Sequence, residues 1–463
     1  MIAVGVVGVV AALAVGAEQV LTGGSHAHAA EPAPPLPYHF FIAHRAAGSY
    51  LAPENTAAAF EAGIADPDAN LLEFDIQILK DGGAGIWHDL AVNRITPETG
   101  PVADRTTKQF KKLRIDSHTW FGGGVPDMHP LMLDQVLDRY ARRKTLLAHP
   151  KDAAAADAVV KALIKRGLTR TVQMQTNKLS IAEKAKKAGV TTQMVIGTPE
   201  EAAAASPAAV KAAGVSRVSL ESSLPDSLIA SYAKAGLIVA CFDVASHTRR
   251  DQLYRIGVRG IDSDDPAYMS GDARFQSRRD PFARGTYWPG LLGQTQTSAA
   301  MTQWQRGRLS GPDWWTIPGN RTFYARQGWN VPLGKSYTLH AQVRFDTLSP
   351  DHADDAGIDF AAPVDGAYTA SVPGYDALLH ENGRLDLYRV DASGKRTLLK
   401  STRTAPVQAG HPADLTIHVT PKAIAVQRGT AKLLVADSTY RGPNLYLGRD
   451  GGPEVSYRDV SIS

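Results

Sequence analysis

The chain has 463 residues, 44% of them hydrophobic and 21% charged, with a formal net charge of +4. That length exceeds an ordinary single core, so two domains are expected, and the composition excludes a disordered or fibrous chain. The small net charge, without a concentrated basic patch, excludes a dedicated nucleic-acid binder, and the single cysteine, Cys241, excludes an intrachain disulfide or a thiolate metal cluster.

The chain opens on an apolar stretch, residues 2–20, followed by Ala27-His28-Ala29, a small-x-small site of the kind cut by signal peptidase. Residues 1–30 therefore read as a signal peptide, although one without a basic start. The alternative is a retained anchor on the outer face of the membrane, because the run approaches the ~20 residues that span a bilayer. Both readings place the rest of the protein outside the cytoplasm, as a secreted or surface protein. Residues 31–37, rich in proline, form a short extended spacer.

From 38 to 270 two periodicities alternate. Predicted strands fall at 40–43, 71–76, 85–87, 145–148, 171–175, 192–196, 217–220, 237–242 and 260–261. Between them lie helical stretches at 56–64, 152–166, 180–188, 199–213 and 224–235, several closed by a glycine such as Gly167 or Gly236. This repeated beat calls for a parallel sheet, and so many repeats in one domain favour a (β/α)8 TIM barrel over a doubly wound sheet. Cys241, in the apolar run 237–242, reads as an inert buried thiol.

Residues 271–284 are polar and charged, as a linker should be, and from 285 to 463 the pattern is all β. Strands are predicted at 337–345, 377–380, 384–390, 396–401, 413–419, 423–428, 432–436, 444–447 and 455–462, with glycine turns at Asn382-Gly383 and Ser393-Gly394. A β-sandwich is expected. Its Trp304, Trp314, Trp315 and Trp329 either stack on sugar rings or fill the core. The alternating run 455–462 resembles the last strand of concanavalin/laminin-G-like sandwiches, which implies a cell-wall glycan or polymer as partner.

The chemistry lies in the first domain. Glu73 and Asp75, two apart on a predicted strand, share one face while Leu72, Phe74 and Ile76 take the other. Such a pair repels unless a cation or a basic residue lies between them, and oxygen donors at this spacing suit Mg²⁺ or Ca²⁺. The alternative is a solvated strand edge with two unrelated acids. The strand at 40–43 runs into His44-Arg45 and that at 85–87 into His88-Asp89, where barrel strands hand over to their catalytic loops. Two histidines suit an acid–base pair across a phosphodiester, and the Arg45 guanidinium suits a phosphate oxygen.

In chain order, His44-Arg45-Ala46, Ala52-Pro53-Glu54-Asn55-Thr56, Glu73-x-Asp75, Lys80-Asp81-Gly82, His88-Asp89, Arg94-Ile95-Thr96 and Leu133-Asp134-Gln135-Val136-Leu137 are followed by Gly257-Val258-Arg259-Gly260-Ile261 and Ser263-Asp264-Asp265-Pro266. This ordered set resembles the glycerophosphodiester phosphodiesterase family. The resemblance implies a TIM barrel that hydrolyses glycerophosphodiesters to glycerol 3-phosphate and an alcohol with one divalent cation, Ca²⁺ or Mg²⁺. It implies His44 and His88 as the acid–base pair and Arg45 and Lys151 on the phosphate. Phe242 would lie beside the glycerol, Glu73 and Asp75 would bind the metal, and Glu54 would support the site. Implied substrates are glycerophosphodiesters, lipids or polyglycerol phosphate.

The sequence departs from the family where Glu-x-Lys is usual, with His149-Pro150-Lys151. His149 is expected as the third metal ligand, and a neutral imidazole makes Mn²⁺ or Zn²⁺ candidates as well; the alternative is an acid–base role. Ala46 replaces a glycine, and Phe242-Asp243-Val244-Ala245 stands where an aromatic-Thr-Val-Asn pattern is usual. Gln173, Gln175 and Glu221 fall near later strand ends, and Trp120, Phe121 and Gly122 to Gly124 are expected as a mobile rim. Two other functions fit the same residues. One is phospholipase D-like headgroup release from intact lipids, through a cyclic phosphate. The other is an inactive binding protein.

Overall fold

The computed structural model describes residues 32–46, 52–117, 126–271, 280, 282–283, 293–295, 307–319, 325–330, 333–365 and 372–463. The expected signal peptide, the rim at 120–124, most of the linker and Trp304 lie outside the described residues.

The first body is a closed barrel. Its strands are β1 (Phe40–Ala43), β2 (Ala69–Ile78), β4 (Thr145–Pro150), β5 (Gln173–Thr176), β6 (Thr192–Ile196), β7 (Arg217–Glu221), β8 (Ile238–Phe242) and β9 (Gly260–Ser263), all parallel, with β1 pairing both β2 and β9. The strand at 85–87 is not one of the barrel staves. It appears as β3 (Ala84–Ile86), an antiparallel spur on the end of β2, joined by the turn at Asp81-Gly82. Its role is positional, because it folds His88 back over the mouth of the barrel.

The alternation read from β2 holds in three dimensions. Leu72, Phe74 and Ile76 pack outward with Phe60, Leu137, Val159 and Leu163 of the surrounding helices. Inside, Leu71 joins Phe40, Ile42, Leu147 and Ala240 in a small apolar plug, above which Glu73 and Asp75 project toward the catalytic end. Gly260 belongs to that plug, since a Cβ there would lie 2.4 Å from the Phe40 ring. The helices stop as the sequence indicated, with Gly167 left-handed at φ 66° after the helix Ala153–Arg166. The stretch 199–213 is two helices, Pro199–Ala204 and Pro207–Ala212, because Ser206-Pro207 starts a new one with Ser206 as its cap.

The second body has two seven-stranded antiparallel sheets facing one core. One runs β10 (Gly293–Thr295), β13 (Ala325–Asn330), β22 (Asn444–Asp450), β15 (Asp355–Ala362), β16 (Gly374–His380), β17 (Arg384–Val390) and β18 (Arg396–Arg403). The other runs β11 (Arg308–Ser310), β12 (Trp314–Ile317), β23 (Val455–Ile462), β14 (Tyr337–Phe345), β19 (Pro412–Val419), β20 (Ile424–Arg428) and β21 (Ala431–Val435). Phe282, placed in the linker by composition, is fully buried in this core and stacks on Trp315. Trp315 fills the core, and Trp314 lies between the Arg344 and Arg458 guanidinium groups, 4.0 and 4.3 Å from its centroid, so neither offers a free stacking face. Cys241 is buried, which raises its thiol pKa and leaves it inert. Among the described residues no helix is long and apolar enough to cross a membrane.

One buried carboxylate ties the two bodies. Asp365, in the loop after β15, accepts from the backbone N–H of His247 and, at 2.8 Å, from that of Thr248, at the start of the helix His247–Arg255. It also accepts from the Tyr268 hydroxyl at 3.2 Å, in the segment that follows β9. An anion at a helix N-terminus is stabilised by the exposed N–H groups and the helix dipole. Asp365→Asn is expected to lower stability by about 1–3 kcal/mol, read as a shift in the urea midpoint. An unchanged midpoint would mean that the contact does not couple the bodies.

Candidate active site

The strand ends bring His44, Arg45, Glu73, Asp75, His88, His149, Lys151 and Phe242 around one cavity of about 220 Å³. Every residue expected to act directly is therefore at the same place, with Glu54 immediately behind Arg45.

Glu73 and Asp75 are each 1% exposed, and their charges are met from several sides. Lys151 Nζ is 2.6 Å from Asp75 Oδ1, and Asn55 donates to Asp75 Oδ2 at 3.0 Å. Glu73 accepts from the Arg45 backbone N–H at 3.0 Å and from Gln175 Nε2 at 3.1 Å. Burial alone would raise the Asp75 pKa, but Lys151, His88 and His149 outweigh it and hold the carboxyl well below its ordinary range. His149 Nδ1 lies 3.5 Å from Glu73 Oε1 and 3.4 Å from Asp75 Oδ1, and the ligand atoms of all three residues fall within 4.8 Å of one another. Two carboxylates and an imidazole so placed can hold a divalent cation. The donor set fits such an ion, and Lys151, which also reaches His149 Nδ1 at 3.2 Å, supplies positive charge at the same carboxylate.

The backbone is bent to make this arrangement. Arg45 (φ 50°, ψ 41°) and Ala46 (φ 65°) are left-handed, as is Asn55 (φ 57°). For a residue with a Cβ this costs about 1–2 kcal/mol, and Ala46 bears it without being a glycine. The turn points the Arg45 N–H at Glu73 and its side chain at Glu54, while Asn55 both donates to Asp75 and accepts its N–H at 3.3 Å.

Glu54 is the hub of a second network. It accepts from Arg45 Nη1 at 2.7 Å and from Arg94 at 2.7 and 2.8 Å, and Arg94 continues to Asp89, which holds His88 Nδ1 at 2.7 Å. Burial would raise the Glu54 pKa, but the two guanidinium groups hold it far below the usual carboxylate range. Arg45 Nε is buried without a hydrogen-bond partner, which leaves a donor of this clamp for an incoming oxyanion. Composition gave no signal for Arg94 and Asp89 as a relay, although both stood inside the recognised motifs.

The two histidines differ. His44 Nδ1 is 2.8 Å from Asp264 Oδ1; burial and Arg45 act against its charge, but Asp264 and Asp262 prevail and raise its pKa to about 10. For His88, burial and Arg45 outweigh Asp75 and Asp89, so its pKa falls below 6.5. At neutral pH His44 is a proton donor and His88 an acceptor. The Asp of Ser263-Asp264-Asp265-Pro266 thus has a clear task that the motif alone did not disclose.

Of the opposite wall, Phe242 and Gln175 were expected, and Ser219 and Asp262 were not. Ser219, Asp243 and Asp262 line the cavity with Gln175 and Val195. Burial, opposed by His44 but reinforced by Glu73, Asp243 and Asp264, pushes the Asp262 carboxyl well above its ordinary range. Burial and Asp243 likewise bring Glu221 up to about 7.

Residues 44–268 match the profile of the Glycerophosphoryl diester phosphodiesterase family. YhdW of Bacillus subtilis (strain 168), whose name assigns it provisionally to the glycerophosphodiester phosphodiesterases, is 27% identical over 245 residues, 51% of this chain and 99% of its own. Human glycerophosphodiester phosphodiesterase 1 is 40% identical over 86 residues, 19% of this chain and 25% of the human one. Among solved structures, an Oleispira antarctica phosphodiesterase in complex with the product sn-glycerol-3-phosphate aligns at 21% identity and TM-score 0.43, over 51% of this chain and 96% of that one.

The Asp264 contact yields a titration test. Because the folded pKa of His44 is raised, the stabilisation from its charge is complete below about pH 6.5 and is lost as the pH climbs through about 10. Asp264→Asn is expected to shift the His44 ring titration, followed by NMR, several tenfold steps in proton affinity toward neutrality. A titration that stays near 10 would assign the shift to another group.

Proposed function

We propose that the barrel, through the segment 44–268 that matches the phosphodiesterase family, hydrolyses glycerophosphodiesters to glycerol 3-phosphate and an alcohol. The observation that carries this reading is the convergence around one cavity of a cation-binding triad, an arginine with an uncommitted buried donor and two histidines of opposite protonation.

In this reading Glu73, Asp75 and His149 hold one divalent cation, which would stabilise negative charge on the phosphoryl oxygens when bound. Arg45, fixed by Glu54, binds a non-bridging oxygen through Nε, and Lys151 lies within reach of the same group. His88 has Nδ1 committed to Asp89, so Nε2 accepts the proton of the attacking hydroxyl. The attacker is the neighbouring hydroxyl of the substrate glycerol, which bonds to phosphorus as the P–O bond to the alcohol breaks. His44 then gives its proton to the departing alkoxide. Water opens the cyclic phosphate with the two histidines exchanging roles, so each returns to its starting state.

We further infer that the protein acts outside the cytoplasm, on the composition of residues 1–30. We assign polymer or cell-wall glycan binding to the β body, as a domain of that architecture joined to an exported enzyme.

Chelated protein is expected to lose turnover of glycerophosphocholine and to regain it with one of Mg²⁺, Ca²⁺, Mn²⁺ or Zn²⁺. No recovery with any ion would refute the reading, and faster turnover of an intact lysophospholipid would replace it with the phospholipase D-like one. The pH profile of kcat/KM should rise as His88 loses its proton below pH 6.5, stay level through neutrality and fall near pH 10 as His44 deprotonates.

His149 sets the metal. A site with two carboxylates and one imidazole carries about one more net positive charge with a divalent ion than a three-carboxylate site. His149→Glu is expected to shift activation toward Ca²⁺ or Mg²⁺ by tenfold or more in half-saturating concentration. An unchanged order of metals would place His149 outside the coordination sphere.

A further inference from the structure

The cavity has two chemically distinct walls. From β1, β2, β4 and the loop after β3 come Arg45, Glu73, Asp75, His88, His149 and Lys151, which between them account for phosphate and cation. From β7, β8 and β9 come Ser219, Phe242, Asp243 and Asp262, which the mechanism above does not use. Ser219 is 1% exposed and Asp262 is 3% exposed, and both Ser219 Oγ and Asp262 Oδ1 are buried without a hydrogen-bond partner. The register is β7 Ser219 beside β8 Ala240 beside β9 Gly260, so Asp262 stands one inward-facing step nearer the mouth than Ser219. The two groups form a ladder rising from the floor, with Phe242 beside Asp262 at the upper level.

A buried donor or acceptor left unpaired is costly, so each calls for an explanation. An anionic phosphate oxygen is a poor occupant here, since Arg45 offers a better berth opposite. A cationic headgroup is also disfavoured, because His44 acts electrostatically on Asp262. Neutral hydroxyls fit, being able to donate to Asp262 and to exchange hydrogen bonds with Ser219, while their carbon skeleton lies against Phe242.

We propose that Asp262, with Ser219, is the subsite for the polyol hydroxyl that does not attack phosphorus, and sets the preference for glycerol diesters over diesters that carry only the attacking hydroxyl. This rests on the phosphodiesterase reading of the same cavity. A site built to hydrogen-bond a hydroxyl discriminates strongly, because an analogue lacking it leaves the buried partners unpaired.

The test uses the full chain. Calorimetry should show glycerol 3-phosphate bound at least tenfold more tightly than methyl phosphate by the wild type, and D262N should bring the two within threefold. In turnover, the kcat/KM ratio of glycerophosphoglycerol to 2-hydroxypropyl p-nitrophenyl phosphate, which keeps the attacking hydroxyl and lacks the second, should fall tenfold or more in D262N, mostly through KM for the glycerol diester. Should D262N not fold, S219A decides, with a fall of at least threefold in both ratios expected. Unmoved ratios in the folded variant, or no preference for glycerol 3-phosphate in the wild type, would overturn the subsite. A wild type that cleaves neither diester but shows the Asp262-dependent preference would overturn the enzymatic reading while upholding the subsite. Robust turnover with unmoved ratios would do the reverse.

Discussion

Two carboxylates on one strand, buried inside a barrel, are the constraint from which the rest of the site follows. Glu73 and Asp75 share the inner face of β2 only 1% exposed, and a buried charge without a counter-charge or hydrogen bonds is costly. The surrounding sequence can be understood as the response. Lys151 and His149 come from the neighbouring strand, Asn55 and the Arg45 N–H from two left-handed turns, and Gln175 from farther round the barrel. Gln193 in turn donates to Gln175 at 3.2 Å, so the polar chain continues across the interior. Even the strain at Arg45 and Ala46 is intelligible on these terms, since a relaxed turn would withdraw a donor from Glu73.

Each basic group gathered by these acids needs an acid of its own. Arg45 is held by Glu54, which also holds Arg94, which holds Asp89, which orients His88. On the other side His44 is held by Asp264. The two histidines therefore sit at the ends of different networks, one dominated by guanidinium charge and the other by carboxylates. That difference, rather than any intrinsic property of the rings, separates them into donor and acceptor.

The sequence disclosed the barrel because its signals are local: alternating strands such as β2, helices capped by Thr56 and Asp152, and glycines that only a helix end requires. It disclosed His44, His88, Glu73, Asp75, His149 and Lys151 because each stands at a strand end in a recognisable order. Several things were hidden. The spur β3 looks like a barrel strand because periodicity carries no information about direction. Strand β15 escaped because both its faces are buried, with Ile358 and Phe360 toward the core while Asp359 meets Arg326 at 2.7 Å, so it lacks the usual apolar–polar contrast. Asp262 escaped because a lone acid in Gly260-Ile261-Asp262-Ser263 acquires meaning only when closure of the barrel sets β9 beside β1 and across from β5.

The central claim is that the buried acids of β2 and the imidazole of β4 form a single cation site beside the Arg45 clamp. Crystals soaked in Mn²⁺ with glycerol 3-phosphate, measured at a wavelength where manganese scatters anomalously, test it most directly. One strong anomalous peak is expected within bonding distance of Glu73, Asp75 and His149, with the phosphate against Arg45. A peak elsewhere, or bound phosphate with Lys151 still paired to Asp75 and no peak between the acids, would contradict it.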